Sequence, residues 1–434
     1  MAENQTQNKS VSGEVELKNS ILDHNASWVL MFVYLGYLIG IYFAQRATYT
    51  AGVLTSDIST YSYFLVSMIV GLVVTCILYN LGKVIFASLA GYRVVYFEIL
   101  GIVFNQADPK KTHVSFHISN VFDLALRFAP KDDDTKKNPR LIFFGGYAME
   151  VLILIVSIVI FFVLGFGKPR GTITNVAYYV LFSMLYGFLT PLYELLPFRQ
   201  DYPTDMFNLI VTASKEDQEA YNIYSINRRR ELSGEDYLLK TYPDFGSFYK
   251  AHLIYPLYLD DLYASRLEKA YEDLSKMKYY SKYYLEEERY LAPSEMVYLK
   301  YLIDDKDGAS KAFFDMKSDD RKSLVKAPLF SNYRTVILVD SYIHNSLDSL
   351  KDLLVSMKKR MEEYDVSSHR VEKEIELSKK ALELAKKNPN ITFPEDVVVP
   401  ALETNKAETA APTEKKEETP SSEKKASDEE DEDE

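Results

Sequence analysis

Apolar and polar positions divide the chain into two parts that follow different periods. Between Trp28 and Leu196 four stretches are almost wholly apolar: Trp28 to Ala44, Ser59 to Gly82, Leu141 to Phe166 and Ile173 to Leu196. A helix crosses the bilayer core in about 20 residues at 1.5 Å each, so each stretch predicts a membrane span. The first is short and starts on Trp28, an interfacial anchor type. The second has no charge, the third contains Glu150, and the fourth has Glu194 near its end. From Met206 to about Lys387 apolar residues recur at intervals of three and four, as in Leu259, Leu262, Tyr263, Leu267, Ala270, Tyr271 and Leu274, and again from Leu347 to Met361. That spacing predicts amphipathic helices. Pro243, Gly246, Pro256, Pro293, Gly308 and Pro328 cut them into lengths suited to antiparallel hairpins without a firm repeat period.

The segments between the apolar stretches set the orientation. Residues 45–58 carry only Arg46, whereas residues 80–140 carry nine lysines and arginines. Basic loops stay on the cytosolic side, which places the long second loop, both termini and everything after Leu196 in the cytosol. Within that loop Val94 to Phe104 is dense in β-branched and aromatic residues with Gly101 as a break, predicting one or two strands. Alternation continues from His113 to Phe122. On a strand His113 and His117 stand about 13 Å apart, too far to hold one ion. Residues 1–27 are polar and lack the basic segment and short apolar core of a cleaved signal peptide.

Composition changes this picture in three places. The chain has 47% apolar residues with 34 Tyr and 24 Phe, enough for both a membrane part and a packed soluble part. Runs such as Tyr279-Tyr280 and Tyr283-Tyr284 suit the seam between helical hairpins, with an aromatic groove for a partner peptide as the alternative. Cys76 is the one cysteine, so no intramolecular disulfide forms. Of the net charge of -12, residues 401–434 supply most, with 13 acidic and 5 basic residues. After Asn388 the chain becomes a low-complexity acidic tail that cannot bury enough apolar surface to fold alone. No basic patch suits nucleic acid, and none is expected as a partner.

Candidate chemistry centres on Tyr79-Asn80-Leu81-Gly82-Lys83, at the cytosolic end of the second span, followed by an apolar run into Gly91-Tyr92. In residue type and spacing this resembles the HExxH helix of site-2 proteases, the intramembrane zinc metalloproteases. Two further marks of that family have counterparts here. Gly145-Gly146-Tyr147-Ala148-Met149-Glu150 resembles the GGPxxN-like stretch, with Tyr147 for the proline and Glu150 for the asparagine. Glu194-Leu195-Leu196-Pro197 followed by Pro203-Thr204-Asp205-Met206 resembles the NxxP segment and the aspartate that is the third zinc ligand. The order of the three elements agrees over residues 59–209, about a third of the chain. What the resemblance implies is the scaffold without the chemistry. The ligand positions become Tyr79, Lys83 and Asp205, and the general-base position becomes Asn80. A catalytic zinc needs three imidazole, carboxylate or thiolate ligands, and of these only Asp205 qualifies. An ammonium at Lys83 repels a divalent cation, and Asn80 takes no proton from water. No metal and no cofactor are expected. A carboxylate in lipid needs a partner, so a Lys83–Asp205 or Lys83–Glu150 pair is expected in place of the metal, with Glu194 as a further intramembrane polar candidate.

The resulting expectation is an α-helical membrane protein: a polar N-terminus (1–27), a membrane domain (28–205) of four spans with a small β-containing cytosolic loop, an all-α helical-hairpin cytosolic domain (206–387) and a disordered acidic tail (388–434). Its expected role is a catalytically inactive scaffold or adaptor in a bacterial plasma membrane. It would bind a membrane client or complex partner within the bilayer and a cytosolic protein through residues 206–387. Two alternatives remain open: an active metalloprotease that recruits His113 or His117 to Asp205, and a subunit of a transport complex, motivated by Glu150.

Overall fold

The computed structural model describes residues 26–50, 60–99, 101–105, 112–116, 124–169, 171–197, 203–284, 288–326, 329–362, 364 and 368–401. The apolar stretches fold as long helices. They are α1 (Ala26–Thr50), α2 (Thr60–Leu89), α3 (Arg140–Ile160, continued by a π-helical turn, Phe161–Gly165) and α4 (Thr172–Gly187), which is followed by the short α5 (Leu189–Glu194). Three helical segments, Tyr63–Leu89, Arg140–Gly165 and Thr172–Glu194, are long and apolar enough to cross a membrane. Large apolar residues along them, such as Val73, Ile77, Val151, Ile155 and Val163, are exposed, which suits lipid-facing side chains. The second expected span stops at Gly82, but α2 runs on to Leu89, because Val84 to Leu89 contains no helix breaker. The break comes at Gly91, whose φ is +81°.

Close approach between α2 and its neighbours depends on small residues. Lipid tails are as apolar as the helices, so packing rather than hydrophobicity drives helices together in a bilayer, and glycine lets backbones meet. A Cβ on Gly145 would lie 2.6 Å from the Gly82 carbonyl oxygen, and one on Gly71 would strike the Ser183 backbone of α4. Along α2, Tyr63, Ser67, Gly71, Thr75 and Tyr79 recur every fourth residue and are all buried, forming one stripe down the helix.

Between α2 and α3 lies a four-stranded antiparallel sheet in the order β3-β2-β1-β4, formed by β1 (Tyr92–Ile99), β2 (Ile102–Asn105), β3 (His113–Phe116) and β4 (Leu124–Pro130). The break expected at Gly101 is the β1–β2 turn, where φ is +76°. Phe97 pairs with Phe104 across it, rings stacked at 5.8 Å. His113 is on β3, as alternation predicts. His117 lies outside the described residues.

The rest is helical: α6 (Asp205–Val211), α7 (Lys215–Ser233), α8 (Phe248–His252), α9 (Ile254–Tyr263), α10 (Leu267–Tyr279), α11 (Leu291–Leu302), α12 (Lys306–Asp315), α13 (Ser318–Lys326), α14 (Tyr333–Tyr342), α15 (Leu347–Glu362) and α16 (His369–Ala385). α7 is closed at both ends: the Ser214 side chain accepts from the Asp217 N–H, and Gly234 takes φ +81° at the C-terminus. Tyr283 and Tyr284 are buried seam residues, their hydroxyls donating to the Gly246 and Ala251 carbonyls at 2.9 and 2.6 Å. The core of this part is polar at its centre. Arg334, fully buried, joins Glu295 of α11 at 2.7 Å and also Glu374 of α16, while Tyr255, Tyr258 and Tyr263 of α9 donate to the two carboxylates.

The described residues between 26 and 400 fall in one compact unit. The first part of the tail expected from Asn388 is packed. The Asn388 side chain donates to the Ser341 carbonyl at 2.6 Å, and Val397 and Val399 are buried, so three apolar or hydrogen-bonding anchors hold a stretch whose composition looks like linker. Residues 402–434 lie outside the described ones.

Candidate functional site

Tyr79 and Lys83 are four residues apart on α2 and therefore share a face one turn apart. Both point at Asp205, the first residue of α6. The Tyr79 hydroxyl donates to Asp205 Oδ2 at 2.7 Å, and Lys83 Nζ pairs with Asp205 Oδ1 at 2.9 Å. Asp205 is 1% exposed and Tyr79 equally so, so this is an ion pair with a hydroxyl third member inside the protein. Glu194, at the end of α5, accepts the Asp205 backbone N–H at 2.7 Å, and Thr204 Oγ1 donates to the Leu196 carbonyl at 2.5 Å. These two bonds tie the start of α6 to the end of α5 and fix the direction of the aspartate.

The glycine pair supplies the wall behind Tyr79. A Cβ on Gly146 would run into the Tyr79 ring, and Tyr147 meets that ring edge to face at 5.6 Å. Three stretches distant in the sequence thus converge: Tyr79 to Lys83, Gly145 to Tyr147, and Glu194 with Asp205. Two of the expected candidates stay outside the cluster. Asn80 turns back on its own helix, donating to the Cys76 carbonyl at 2.8 Å. Glu150, 3% exposed in α3, keeps Oε1 without a hydrogen-bond partner among the described residues, and Lys83 takes Asp205 instead.

A cavity of about 280 Å³ opens on the cluster. Cys76, Asn80, Lys83, Glu194 and Asp205 form one side; β4, through Ala125 to Phe128, forms another wall; Asn208, Tyr221, Arg228 and Tyr249 close it from α6, α7 and α8. The helical part is therefore a wall of the site. Its attachment is polar and specific. Tyr92 donates to Asn222 Oδ1 at 2.6 Å, Asn222 Nδ2 donates to the carbonyls of Thr135 and Lys137, and Arg229 and Arg230 both hold Asp133. Beyond the cavity Arg228 lies 3.4 Å from Glu288, which also faces His252 at 2.8 Å. Burial alone would raise the Glu288 carboxyl, but His252, with Arg228 and Arg127, takes it down to about 2.

The donor set does not suit a catalytic zinc. Both Asp205 oxygens are occupied by hydrogen-bond donors, and the other two positions offer a phenol and an ammonium. Among the described residues no three His, Cys, Asp or Glu side chains come together as a metal site. Sequence reasoning missed the wall supplied by α7 and α8, Arg228, Arg229, Tyr221 and Tyr249. The Arg228-Arg229-Arg230 run was its one visible signal, and nothing local tells which arginine faces the cavity. No protein-family model, no curated protein and no solved structure matches the chain.

Proposed function

We propose that the chain is a non-catalytic membrane protein built on a site-2-protease-like core, which holds a membrane client at the cavity and docks a cytosolic partner through its helical part. In this reading α1 is a fourth span, the termini are cytosolic and the membrane is the plasma membrane. One observation carries the reading: the three positions that resemble the protease's zinc ligands, Tyr79, Lys83 and Asp205, close on one another through bonds of 2.7 and 2.9 Å. An ammonium sits where a cation would bind, satisfying the aspartate without a metal. A cavity lined on one side by the ends of spans and on the other by soluble helices suits a partner that leaves the membrane at that point. What supports a site-2-protease origin is the convergence of the glycine pair and the Glu194–Asp205 segment on the same helix end; this is a fold-level analogy.

Restoring the ligands tests it. The triple variant Tyr79→His, Asn80→Glu, Lys83→His should purify with about one zinc per chain, and the wild type with none, by elemental analysis of protein in detergent. A wild type carrying one zinc lost on Asp205→Ala would establish an active metal site. A folded triple variant without zinc would end the protease-scaffold reading. A photo-crosslinking residue in place of Asn80, at the cavity rim, should capture a membrane protein in native membranes.

A further inference from the structure

The wall that α7 gives the cavity has a second, smaller cavity behind it. Tyr224 and Arg228, one turn apart on α7, line both, and the smaller one has a volume of about 50 Å³. His252 of α8 and Glu288, between α10 and α11, meet in its wall, with Nε2 2.8 Å from Oε2 and side chains 3% and 9% exposed. The other carboxylate oxygen of Glu288 is turned to Arg228, at 3.4 Å. One carboxylate is thus shared by a histidine and an arginine, and the arginine is part of the larger cavity's wall. The space beside them exceeds that of one water, so packing locks neither contact.

The imidazole can hold this carboxylate in one charge state only. Its Nδ1 lies 2.7 Å from the Phe248 carbonyl oxygen, which is an acceptor, so Nδ1 keeps its proton whether the ring is charged or neutral. Nε2 therefore carries a proton only in the imidazolium. A neutral ring turns a lone pair toward Glu288 Oε2, and the contact becomes repulsive. The cations that act on Glu288 are His252 first, then Arg228 and Arg127 of β4. Two phenols flank the ring, Tyr224 at 5.1 Å and Tyr284 at 4.9 Å between centroids. Glu231 of α7, paired with Arg370 of α16, and the phenols of Tyr237 and Tyr255 complete the titratable lining of the smaller cavity. Histidine is the side chain that changes charge between about pH 5 and 8. We infer that His252 is a pH-dependent latch on the larger cavity: charged, it shares Glu288 with Arg228; neutral, it releases the carboxylate to Arg228, whose guanidinium is drawn out of the wall and widens the cavity. As regulation of client binding the latch rests on the function proposed above, whereas its movement is measurable without a client.

The test uses the full chain in detergent, with Trp28→Phe removing the one tryptophan and Leu232→Trp placing another in the wall of the larger cavity. Acrylamide is uncharged and reports access to that side chain. Its quenching constant should roughly double along a one-proton curve between about pH 5 and 8. In the same background His252→Leu, which cannot be charged and offers Glu288 no donor, should hold the high-pH value throughout. Level quenching with His252 present, or a His252→Leu profile that rises in the same way, would overturn the inference. NMR shifts of the His252 ring nitrogens give a second reading on the unsubstituted chain. Loss of the Nε2 proton across this range supports the latch, and a ring still doubly protonated at about pH 8 overturns it. Neither readout involves a client, so failure to capture one counts against the client reading alone.

Discussion

The Lys83–Asp205 pair is held between the Tyr79 phenol and the Glu194 carboxyl group. Asp205 is 2% exposed at its side chain and Lys83 15%, and among the described residues the other side-chain donor to the aspartate is a phenol. Breaking a buried pair from one side leaves a charge without compensation, at a cost of about 3 kcal/mol or more, whereas removing both charges is much cheaper. Asp205→Ala should therefore lower the thermal midpoint in detergent strongly, and the double variant Lys83→Met, Asp205→Ala should recover most of the loss. A double variant as unstable as the single one would show that the aspartate acts through Tyr79 or Glu194 rather than through Lys83. Gly146 makes a steric prediction at the same scale. Its missing Cβ is the space taken by the Tyr79 ring, so Gly146→Ala forces α3 from α2 at a cost of about 1–3 kcal/mol. Gly36→Ala, inside α1 where a Cβ meets nothing within 4 Å, should leave stability unchanged or raise it by up to about 1 kcal/mol in the same assay, since alanine is the better helix former.

Among the elements, the helices α9, α11, α14 and α16 meet at Arg334, and their packing carries a pH signature. Burial raises the Glu374 carboxyl to about 7 even against the Arg334 guanidinium. An acid whose folded pKa lies above its unfolded value of 4.5 keeps its proton longer in the native state, so stability falls as pH rises from about 4.5 to about 7 and is level above that. Glu295 and Asp340, both raised by burial, act in the same sense, whereas Glu288, at about 2, gives stability that is full above pH 4.5 and is lost as pH falls from 4.5 toward 2. Subtracting the unfolding profile of Glu374→Gln from that of the wild type should leave a slope of at most one proton between pH 4.5 and 7. Parallel profiles would mean that Glu374 stays ionised throughout. None of this cluster was visible in the sequence, because a glutamate on an amphipathic helix reads as solvent-facing until its partner, 40 residues away, is known. What was legible depended on local repetition: the apolar runs, the break at Gly101, the spacing of three and four beyond Met206. β4 was missed because Leu124 to Pro130 mixes small, charged and apolar residues and shows its face only against β1. The cluster at Asp205 was legible through family resemblance rather than spacing, since 126 residues separate it from Tyr79.

At the scale of the molecule, the sequence suggests a membrane domain joined to a separate soluble one, and the structure joins them through the cavity. α7 carries Asn222, which holds the Tyr92 hydroxyl and two carbonyls of the loop before α3, and Arg229 and Arg230, which hold Asp133 of the same loop. Asp133 adopts a positive φ of 54°, a conformation aspartate tolerates at modest cost, and the paired arginines draw its carboxyl below the usual range although burial opposes them. If these bonds keep the α7 wall closed over the cavity, loosening them should expose the cavity without unfolding the protein. Cys76, the one thiol and a lining residue, reports this directly. N-Ethylmaleimide should modify Cys76 slowly in the wild type and several times faster in Asn222→Ala and Asp133→Ala, with Glu235→Ala, at the rim of the same arginine network, giving a smaller change. Identical rates in all four proteins would mean that the cavity is reached by a route that does not involve these bonds, and that α7 is a fixed support rather than a door.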